Sequence, residues 1–261
     1  MKMFAAALAM GFVFAGVSTA QAGLKTEVVE YRHGDVVLEG YLAYDDSFQG
    51  KRPGVLVAHE WNGHNPYVRK RAEQLARMGY VAFALDMYGK GVLAKDAKEA
   101  AALAGIYKGD RKLMRDRAAA GLAVLRSRPG TDPTRLAAIG YCFGGTTVLE
   151  LARSGADLAS VVTFHGGLDT PTPEDARNIK GKVLALHGGD DPFVPIQQVE
   201  AFQEEMRKGG VDWQFVSYGG AVHSFTNPEA GNDNSKGAAY NERADRRSWE
   251  AMKAFFSETL K

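Results

Sequence analysis

Apolar and polar residues follow one another along the chain in patterns that predict strands and helices in turn. Residues 26–31 and 36–44 alternate apolar with polar side chains around His33-Gly34-Asp35, which predicts an antiparallel hairpin at one edge of a sheet. The later strands are continuous apolar runs, the pattern of strands that are buried on both faces of a parallel sheet. These predicted strands cover residues 54–58, 80–85, 136–139, 160–164, 182–186 and 213–217.

Helical patterns separate the apolar runs. One helix begins at Asn65-Pro66, where Asn caps the helix and Pro fits its first turn, and extends to Met78. Other helices are predicted over residues 94–107, 110–128, 197–208 and 239–257, and a further one follows Cys142. Because strands alternate with helices, we expect an α/β fold with a mostly parallel central sheet covered by helices on both faces.

The composition fits one globular domain and narrows the class of partner. Of the 261 residues, 45% are hydrophobic and 10% aromatic, which is enough for a single domain over residues 23–261. Lys and Arg number 32 against 31 Asp and Glu, and no block of like charge is present. This balance argues against a nucleic-acid partner and against a polybasic membrane-binding patch.

The N-terminus has the pattern of a secretory signal peptide. Lys2 precedes an apolar stretch over residues 3–17, and Ala20-Gln21-Ala22 forms a small-residue cleavage site. An uncleaved membrane anchor is the weaker alternative, because the apolar stretch is short for a bilayer span. We therefore predict cleavage after Ala22, no stable membrane anchor and an exported, periplasmic protein.

The single cysteine of the chain lies in a segment typical of an exposed nucleophile. Gly140-Tyr141-Cys142-Phe143-Gly144-Gly145 follows an apolar strand and leads into a helical pattern. Small residues two before and two after Cys142 permit the sharp strand-to-helix turn called a nucleophile elbow. The alternative is that Cys142 is a small buried hydrophobic residue, the usual fate of a free cysteine.

Two later segments favour the nucleophile. An acidic turn with Asp190-Asp191 follows the predicted strand 182–186, and His223 follows the predicted strand 213–217. The order nucleophile, acid, histidine is that of α/β-hydrolases, so we predict a triad of Cys142, Asp191 and His223. From position alone, Asp190 remains a competitor for the acid.

Four segments together resemble the dienelactone hydrolase family. They are the Cys142 hexapeptide, His59-Glu60-Trp61-Asn62-Gly63, Leu85-Asp86-Met87-Tyr88-Gly89 and Gly220-Ala221-Val222-His223-Ser224-Phe225. The resemblance extends from Pro53 to the C-terminus. It implies a single α/β-hydrolase domain that acts on esters or lactones, with a small-molecule substrate and no metal or organic cofactor. It also selects Asp191 over Asp190, because the family's acid directly precedes the equivalent of Pro192.

The expected chemistry assigns a role to each of these residues. Cys142 attacks an ester carbonyl to form a thioester, His223 transfers protons, and Asp191 orients the imidazole. The backbone N–H of Phe143, directly after the nucleophile, is one expected oxyanion donor, and the resemblance assigns the other to Trp61. The resemblance also places Glu60 beside the cysteine, where it helps to control thiol protonation. A plain salt bridge is the alternative role for Glu60.

Substrate contacts are expected at three further positions. Members of the family bind a carboxylate with arginines where this chain has Lys90 and Asn227, which argues against dienelactone itself as the substrate. His165 follows a predicted strand and either lines the pocket or forms a structural turn. His59 and His64 do not form a zinc motif, because they are five residues apart on a strand-to-loop segment.

A second class of function uses the same fold. A periplasmic binding or scaffolding protein can be built on a hydrolase fold that has lost catalysis. The intact set Cys142, Asp191, His223 and Glu60 favours the hydrolase.

Overall fold

A computed structural model describes residues 23–261 of the chain, and the predicted signal peptide lies outside this range. Eight strands form one sheet. They are β1 (Leu24–His33), β2 (Val36–Asp45), β3 (Arg52–Ala58), β4 (Val81–Leu85), β5 (Thr131–Tyr141), β6 (Ser160–Phe164), β7 (Lys182–Gly188) and β8 (Trp213–Tyr218). Their order across the sheet is β1-β2-β4-β3-β5-β6-β7-β8.

The sheet has the predicted mixture of strand directions. β1 and β2 form an antiparallel pair, and β2 also pairs antiparallel with β4. Every other neighbouring pair is parallel, from β4 through β3 and β5 to β8. The prediction of an N-terminal hairpin on a mostly parallel sheet is confirmed.

Helices cover both faces of the sheet. They are α1 (Pro66–Arg77), α2 (Ala97–Gly109), α3 (Arg111–Ser127), α4 (Phe143–Arg153), α5 (Ile196–Gly209) and α6 (Glu242–Thr259). Two of them begin three residues later than predicted because a capping side chain fixes the start. Asp96 accepts a hydrogen bond from the Glu99 N–H at 2.9 Å, and Asn241 accepts one from the Ala244 N–H at 3.1 Å. Within residues 23–261, no helix is both long and apolar enough to cross a bilayer.

Alternate residues of each central strand belong to different core layers. On β3, Leu56 packs with the layer beneath α2 to α5, whereas Val57 packs with the layer beneath α1 and α6. Both side chains are fully buried. Covering both faces explains the continuous apolar runs, since neither face of these strands meets water.

The parallel strands bring the candidate residues to one edge of the sheet. β3, β5, β7 and β8 run in the same direction, so their carboxyl ends meet at that edge. Trp61, Cys142, Asp191 and His223 each follow one of these ends. In open α/β sheets this edge is where ligands bind.

Candidate active site

Cys142 lies on a sharp turn between β5 and α4. Its backbone has φ 53° and ψ −116°, a conformation that costs a non-glycine residue of order 1–3 kcal/mol and recurs at functional sites. The Cys142 N–H donates to the Phe164 carbonyl at 3.1 Å and also approaches Nδ1 of His165 at 3.2 Å. These contacts offset the strain and hold the turn in place.

Glycine is required around this turn because backbone approaches backbone. A Cβ added to Gly140 would collide with the Gly144 backbone, and one added to Gly144 would collide with the Ala58 carbonyl. A Cβ on Gly145 would collide with Oγ1 of Thr163. The turn therefore has the structural properties that the sequence predicts for a nucleophile elbow.

His223 is held by Asp191. Its Nδ1 lies 2.7 Å from Oδ2 of Asp191, and Oδ1 of that carboxylate accepts the Phe193 N–H at 2.8 Å. Asp191 is buried, whereas Asp190 is exposed and has no side-chain bond to His223. The geometry thus gives His223 one carboxylate partner, bonded at Nδ1.

The sulfur of Cys142 lies within hydrogen-bonding reach of His223. Burial alone would lower the pKa of His223, because the charged imidazolium loses hydration. The negative charge of the Cys142 thiolate and the hydrogen bonds to Asp191 and Cys142 outweigh burial and raise the pKa of His223 to about 10. At neutral pH this pKa favours the charged imidazolium form of His223.

Two backbone N–H groups beside Cys142 have no acceptor. Among residues 23–261, nothing accepts a hydrogen bond from the N–H of Phe143, at the start of α4, or from that of Trp61. The Trp61 carbonyl accepts the Tyr88 hydroxyl at 2.9 Å, which fixes the Trp61 peptide. Phe143 and Trp61 both line the cleft beside Cys142, where free donors can stabilise an oxyanion.

Glu60 is buried behind the histidine. Its Oε2 accepts Nδ2 of Asn227 at 2.6 Å, and its Oε1 accepts the Ser224 hydroxyl at 3.3 Å. Burial raises the pKa of Glu60, and the hydrogen bond from Asn227 and the charge of His223 partly offset this. Glu60 therefore acts electrostatically on His223, and its hydrogen bonds are to Asn227 and Ser224.

The three residues expected to contact substrate lie elsewhere. Lys90 is exposed and its Nζ pairs with Oε2 of Glu30 at 2.6 Å, outside the cleft. Asn227 is buried against Glu60 as described. His165 is buried beneath Cys142, with Nε2 2.7 Å from Oγ1 of Thr226, and burial lowers its pKa well below the usual value. A neutral His165 accepts the Cys142 N–H at Nδ1, so it supports the turn.

The cleft at Cys142 has a volume of about 430 Å³, within the usual range for small-molecule sites. Much of its wall is apolar or aromatic, with Trp61, Phe143, Phe193 and Val194 among the lining residues. Sequence reasoning missed two cationic lining residues, Lys108 and Lys236. Lys108 lies near the end of α2, and Lys236 lies in an irregular segment between β8 and α6, where periodicity gives no signal.

Both histidines of the 59–64 segment bond to the backbone. Nδ1 of His59 donates to the Glu60 carbonyl at 2.5 Å, and its Nε2 accepts the Met87 N–H at 3.1 Å. Nε2 of His64 donates to the Ala84 carbonyl at 3.1 Å. Burial lowers the pKa of both rings. These rings hold neighbouring loops together.

The chain is similar to known proteins over most of its length. The solved structure named m3DLH is 44% identical, with a TM-score of 0.88, and the match covers 92% of this chain and 100% of that one. A dienelactone hydrolase-like promiscuous phosphotriesterase from metagenomic libraries is 42% identical, with a TM-score of 0.87 and the same coverage. A Synechocystis sp. protein with the provisional name carboxymethylenebutenolidase is 28% identical over 91% of this chain and 98% of its own length.

The family assignment rests on nearly the whole described chain. The family model described as "Dienelactone hydrolase family" matches residues 38–260, from β2 to the end of α6. All four segments that suggested the resemblance lie inside this range. The chain is a hydrolase that belongs to the dienelactone hydrolase family.

Proposed function

We propose that this protein hydrolyses small carboxylic esters or lactones, with Cys142 as nucleophile, His223 as acid and base, and Asp191 as the orienting carboxylate. One observation carries the proposal. His223 is bonded to Oδ2 of Asp191 through Nδ1 at 2.7 Å, and it also lies within hydrogen-bonding reach of the Cys142 sulfur on the strained turn. Nucleophile, base and orienting group in one chain of contacts are the requirement for nucleophilic acyl transfer.

Acylation is the first half of the proposed reaction. The Cys142 thiolate adds to the carbonyl carbon, and the resulting oxyanion accepts hydrogen bonds from the N–H groups of Phe143 and Trp61. The C–O bond to the alcohol then breaks as the His223 imidazolium gives its proton to the departing oxygen. The products are an alcohol, or the open hydroxyl of a lactone, and a thioester on Cys142. Each oxyanion donor is worth about 2.7–4 kcal/mol in comparable sites.

Deacylation restores the enzyme. Neutral His223 takes a proton from water, and the oxygen of that water adds to the thioester carbonyl. Collapse of the second oxyanion breaks the C–S bond and releases the carboxylic acid. The thiolate and imidazolium form again, and Asp191 stabilises the charge on the ring in both halves.

The lining of the cleft supports small, largely apolar substrates. Trp61, Phe143 and Phe193 offer aromatic surface to an acyl or alkoxy group, and the volume of about 430 Å³ limits its size. Lys108 and Lys236 add positive charge at the same cleft, so a single anionic substituent is compatible with it.

Phosphotriester hydrolysis is a second candidate activity. It is favoured by the 42% identity to a structure described as a promiscuous phosphotriesterase. The same thiolate and the same two N–H donors suit attack on phosphorus, since negative charge also develops on a single oxygen there.

We also propose that the protein is exported and processed after Ala22. The Lys2 charge, the apolar stretch and the Ala20-Gln21-Ala22 site support this. N-terminal sequencing of the protein from a periplasmic fraction tests it: Gly23 is the expected first residue, and an intact Met1 would contradict the proposal.

The test of the hydrolase proposal is an ester and lactone panel on wild type and Cys142→Ala. We expect turnover of p-nitrophenyl acetate and short lactones by wild type and a loss of at least about 10³-fold in the variant. Mass spectrometry of wild type quenched during turnover should show one acyl group on Cys142, the only thiol in the chain. Full activity in Cys142→Ala would refute the mechanism, and an inert wild type would favour the binding or scaffolding alternative. A paraoxon assay on the same two proteins tests the second activity.

A further inference from the structure

A second, larger cleft lies behind the loop that carries His223. It has a volume of about 690 Å³ and is bounded by the end of β8, Gly219-Gly220 and the first turns of α6. The lining of this cleft shares no residue with that of the cleft at Cys142. It is therefore a separate concave site on the same molecule.

Three arginines line this second cleft without partners. Arg243, Arg246 and Arg247 lie at positions i, i+3 and i+4 of α6, so their side chains share one face of the helix. All three are exposed. None forms a hydrogen bond or ion pair with another residue of the range 23–261. Three guanidinium groups without acid partners among the described residues therefore surround one cavity.

The acidic residues near these arginines either pair with other cations or are too few to neutralise the three positive charges. Asp245 pairs with the buried Arg71 at 2.6 Å, and Glu250 pairs with Lys253 at 2.8 Å. Glu242 is the acid among the residues that line the cleft. Three arginines and one glutamate give the lining a charge of +2, which attracts a ligand with two or more negative charges.

The cleft also has an unsatisfied donor in its wall. Tyr218 lines the cleft and is 9% exposed, yet its hydroxyl has no hydrogen-bond partner among the described residues. Burial raises the pKa of Tyr218 to about 12, and the nearby charge of Arg247 partly opposes this rise. A buried hydroxyl without a partner is unusual in native proteins, and an acceptor from a ligand would satisfy it.

We propose that this cleft binds a phosphorylated small molecule, whose phosphate oxygens are held by Arg243, Arg246 and Arg247. A phosphate group brings nearly two negative charges and several acceptor oxygens, which matches the charge of +2. Guanidinium groups bind phosphate in a bidentate manner, which a flexible ammonium cannot reproduce. The concave shape favours a small molecule over a flat macromolecular surface.

Isothermal titration with pyrophosphate tests the site on the mature protein. Pyrophosphate should bind with one-to-one stoichiometry, and Arg247→Gln and Arg243→Gln should each weaken binding by about tenfold, the effect of one lost charged hydrogen bond. Arg32→Gln is the matched control. Arg32 is an exposed arginine on β1, at the opposite edge of the sheet from β8, and its replacement should leave binding unchanged.

Two further measurements separate the proposal from general charge attraction. Succinate, a dicarboxylate, should bind at least about tenfold more weakly than pyrophosphate. Tyr218→Phe should not lower the unfolding temperature without ligand, because its hydroxyl has no partner to lose, and should weaken pyrophosphate binding.

Three results would overturn the proposal. They are no saturable binding of pyrophosphate to wild type at about 10 mM, an equal loss in Arg32→Gln, and unchanged affinity in the Arg243→Gln/Arg246→Gln/Arg247→Gln triple variant. Equal affinity for succinate would reject phosphate as the preferred group. Ester hydrolysis by Cys142 is not used in any of these measurements, so their outcome is independent of the proposed function.

Discussion

Ionisable groups lie at both ends of α4, and the two ends differ in how many of their polar groups have partners. At the N-terminal end, Cys142 and His223 face an open cleft, and the Phe143 N–H has no acceptor. At the C-terminal end, Glu150 and Arg153 are completely buried and belong to a network in which each charged group has a partner. One helix therefore has the proposed reactive end at its start, where a backbone donor lacks an acceptor within the described chain, and a closed end, where the charges are paired.

Each charged group of the network at the C-terminal end of α4 has a partner of opposite charge. Arg153 Nη1 lies 3.0 Å from Oε1 of Glu150, and its Nε lies 2.8 Å from Oε1 of Glu205. Oε2 of Glu150 pairs with Arg115 at 2.7 Å, and Arg153 Nη2 donates to the Leu168 carbonyl at 3.0 Å. The comparison shows that buried charge alone does not identify a functional site. What distinguishes the start of α4 is the set of groups that still lack partners.

The largest expected effect concerns the acid at the reactive end. Asp191→Asn should lower kcat for ester hydrolysis by about 10³–10⁴-fold, because the amide neither holds the neutral imidazole in the required tautomer nor stabilises the imidazolium. Asp190→Asn is the matched control and should stay within about threefold of wild type, since Asp190 is exposed and unbonded to His223. Steady-state kinetics with p-nitrophenyl acetate give both values. Equal losses would mean that the triad acid is assigned to the wrong aspartate.

Substitutions at the closed end should lower the free energy of unfolding and leave the turnover of the folded protein unchanged. Arg153→Met leaves Glu205 buried without its cation and leaves Glu150 with Arg115 as its cationic partner, and we expect the free energy of unfolding to fall by about 3–5 kcal/mol. Lys253→Met removes an exposed pair with Glu250 and should change it by less than about 1 kcal/mol. Urea unfolding measures both. If Arg153→Met kept full stability and lost turnover per folded molecule, the contrast between the two ends would be wrong.

A smaller effect is expected from a substitution at Glu60, which is buried behind His223. Its charge stabilises the His223 imidazolium, so Glu60→Gln should slow iodoacetamide labelling of Cys142 at neutral pH by about threefold to tenfold. The exposed Glu229→Gln is the control and should label at the wild-type rate. Faster labelling of Glu60→Gln would instead mean that Glu60 repels the thiolate directly.

The last expected effect is the dependence of stability on pH that His223 contributes. Its folded-state pKa of about 10 lies above the ordinary 6.5, so its contribution is complete below pH 6.5 and is lost as the pH rises toward 10. The difference in unfolding free energy between wild type and His223→Gln should shrink over that interval. Urea unfolding at several pH values tests this, and a difference that grows with pH would show that the ring is neutral in the folded protein.

The sequence predicts the fold best where residues that are close together in the chain determine the local structure. The alternation on residues 36–44, the apolar runs and the Gly-x-Cys-x-Gly turn predict the hairpin, the parallel sheet and the sharp turn at Cys142. The starts of α2 and α6 were placed too early, because Ala94 and Ala239 are good helix formers, whereas Asp96 and Asn241 fix the actual caps.

Contacts between distant segments were beyond sequence reasoning. The hydrogen bond from Asn227 to Glu60 joins residues that are 167 positions apart, and the local sequence around neither residue predicts it. Lys108 reaches the cleft only because α2 lies over the carboxyl edge of the sheet. The Glu150 and Arg153 network was missed for a similar reason, since charged residues in an amphipathic helix normally predict an exposed face.

The glycine contacts around Cys142 fix the position of its backbone whether the side chain carries sulfur or oxygen. Gly140, Gly144 and Gly145 fix the height of residue 142 through backbone contacts, so an oxygen on the same Cβ would occupy nearly the same place as the sulfur. Exchange of cysteine for serine is thus geometrically simple. The electrostatics do not transfer, because a hydroxyl holds its proton far more tightly than a thiol and would not rest ionised beside an imidazolium. The choice between the two nucleophiles in such a fold depends on the charges around the histidine and not on the shape of the turn.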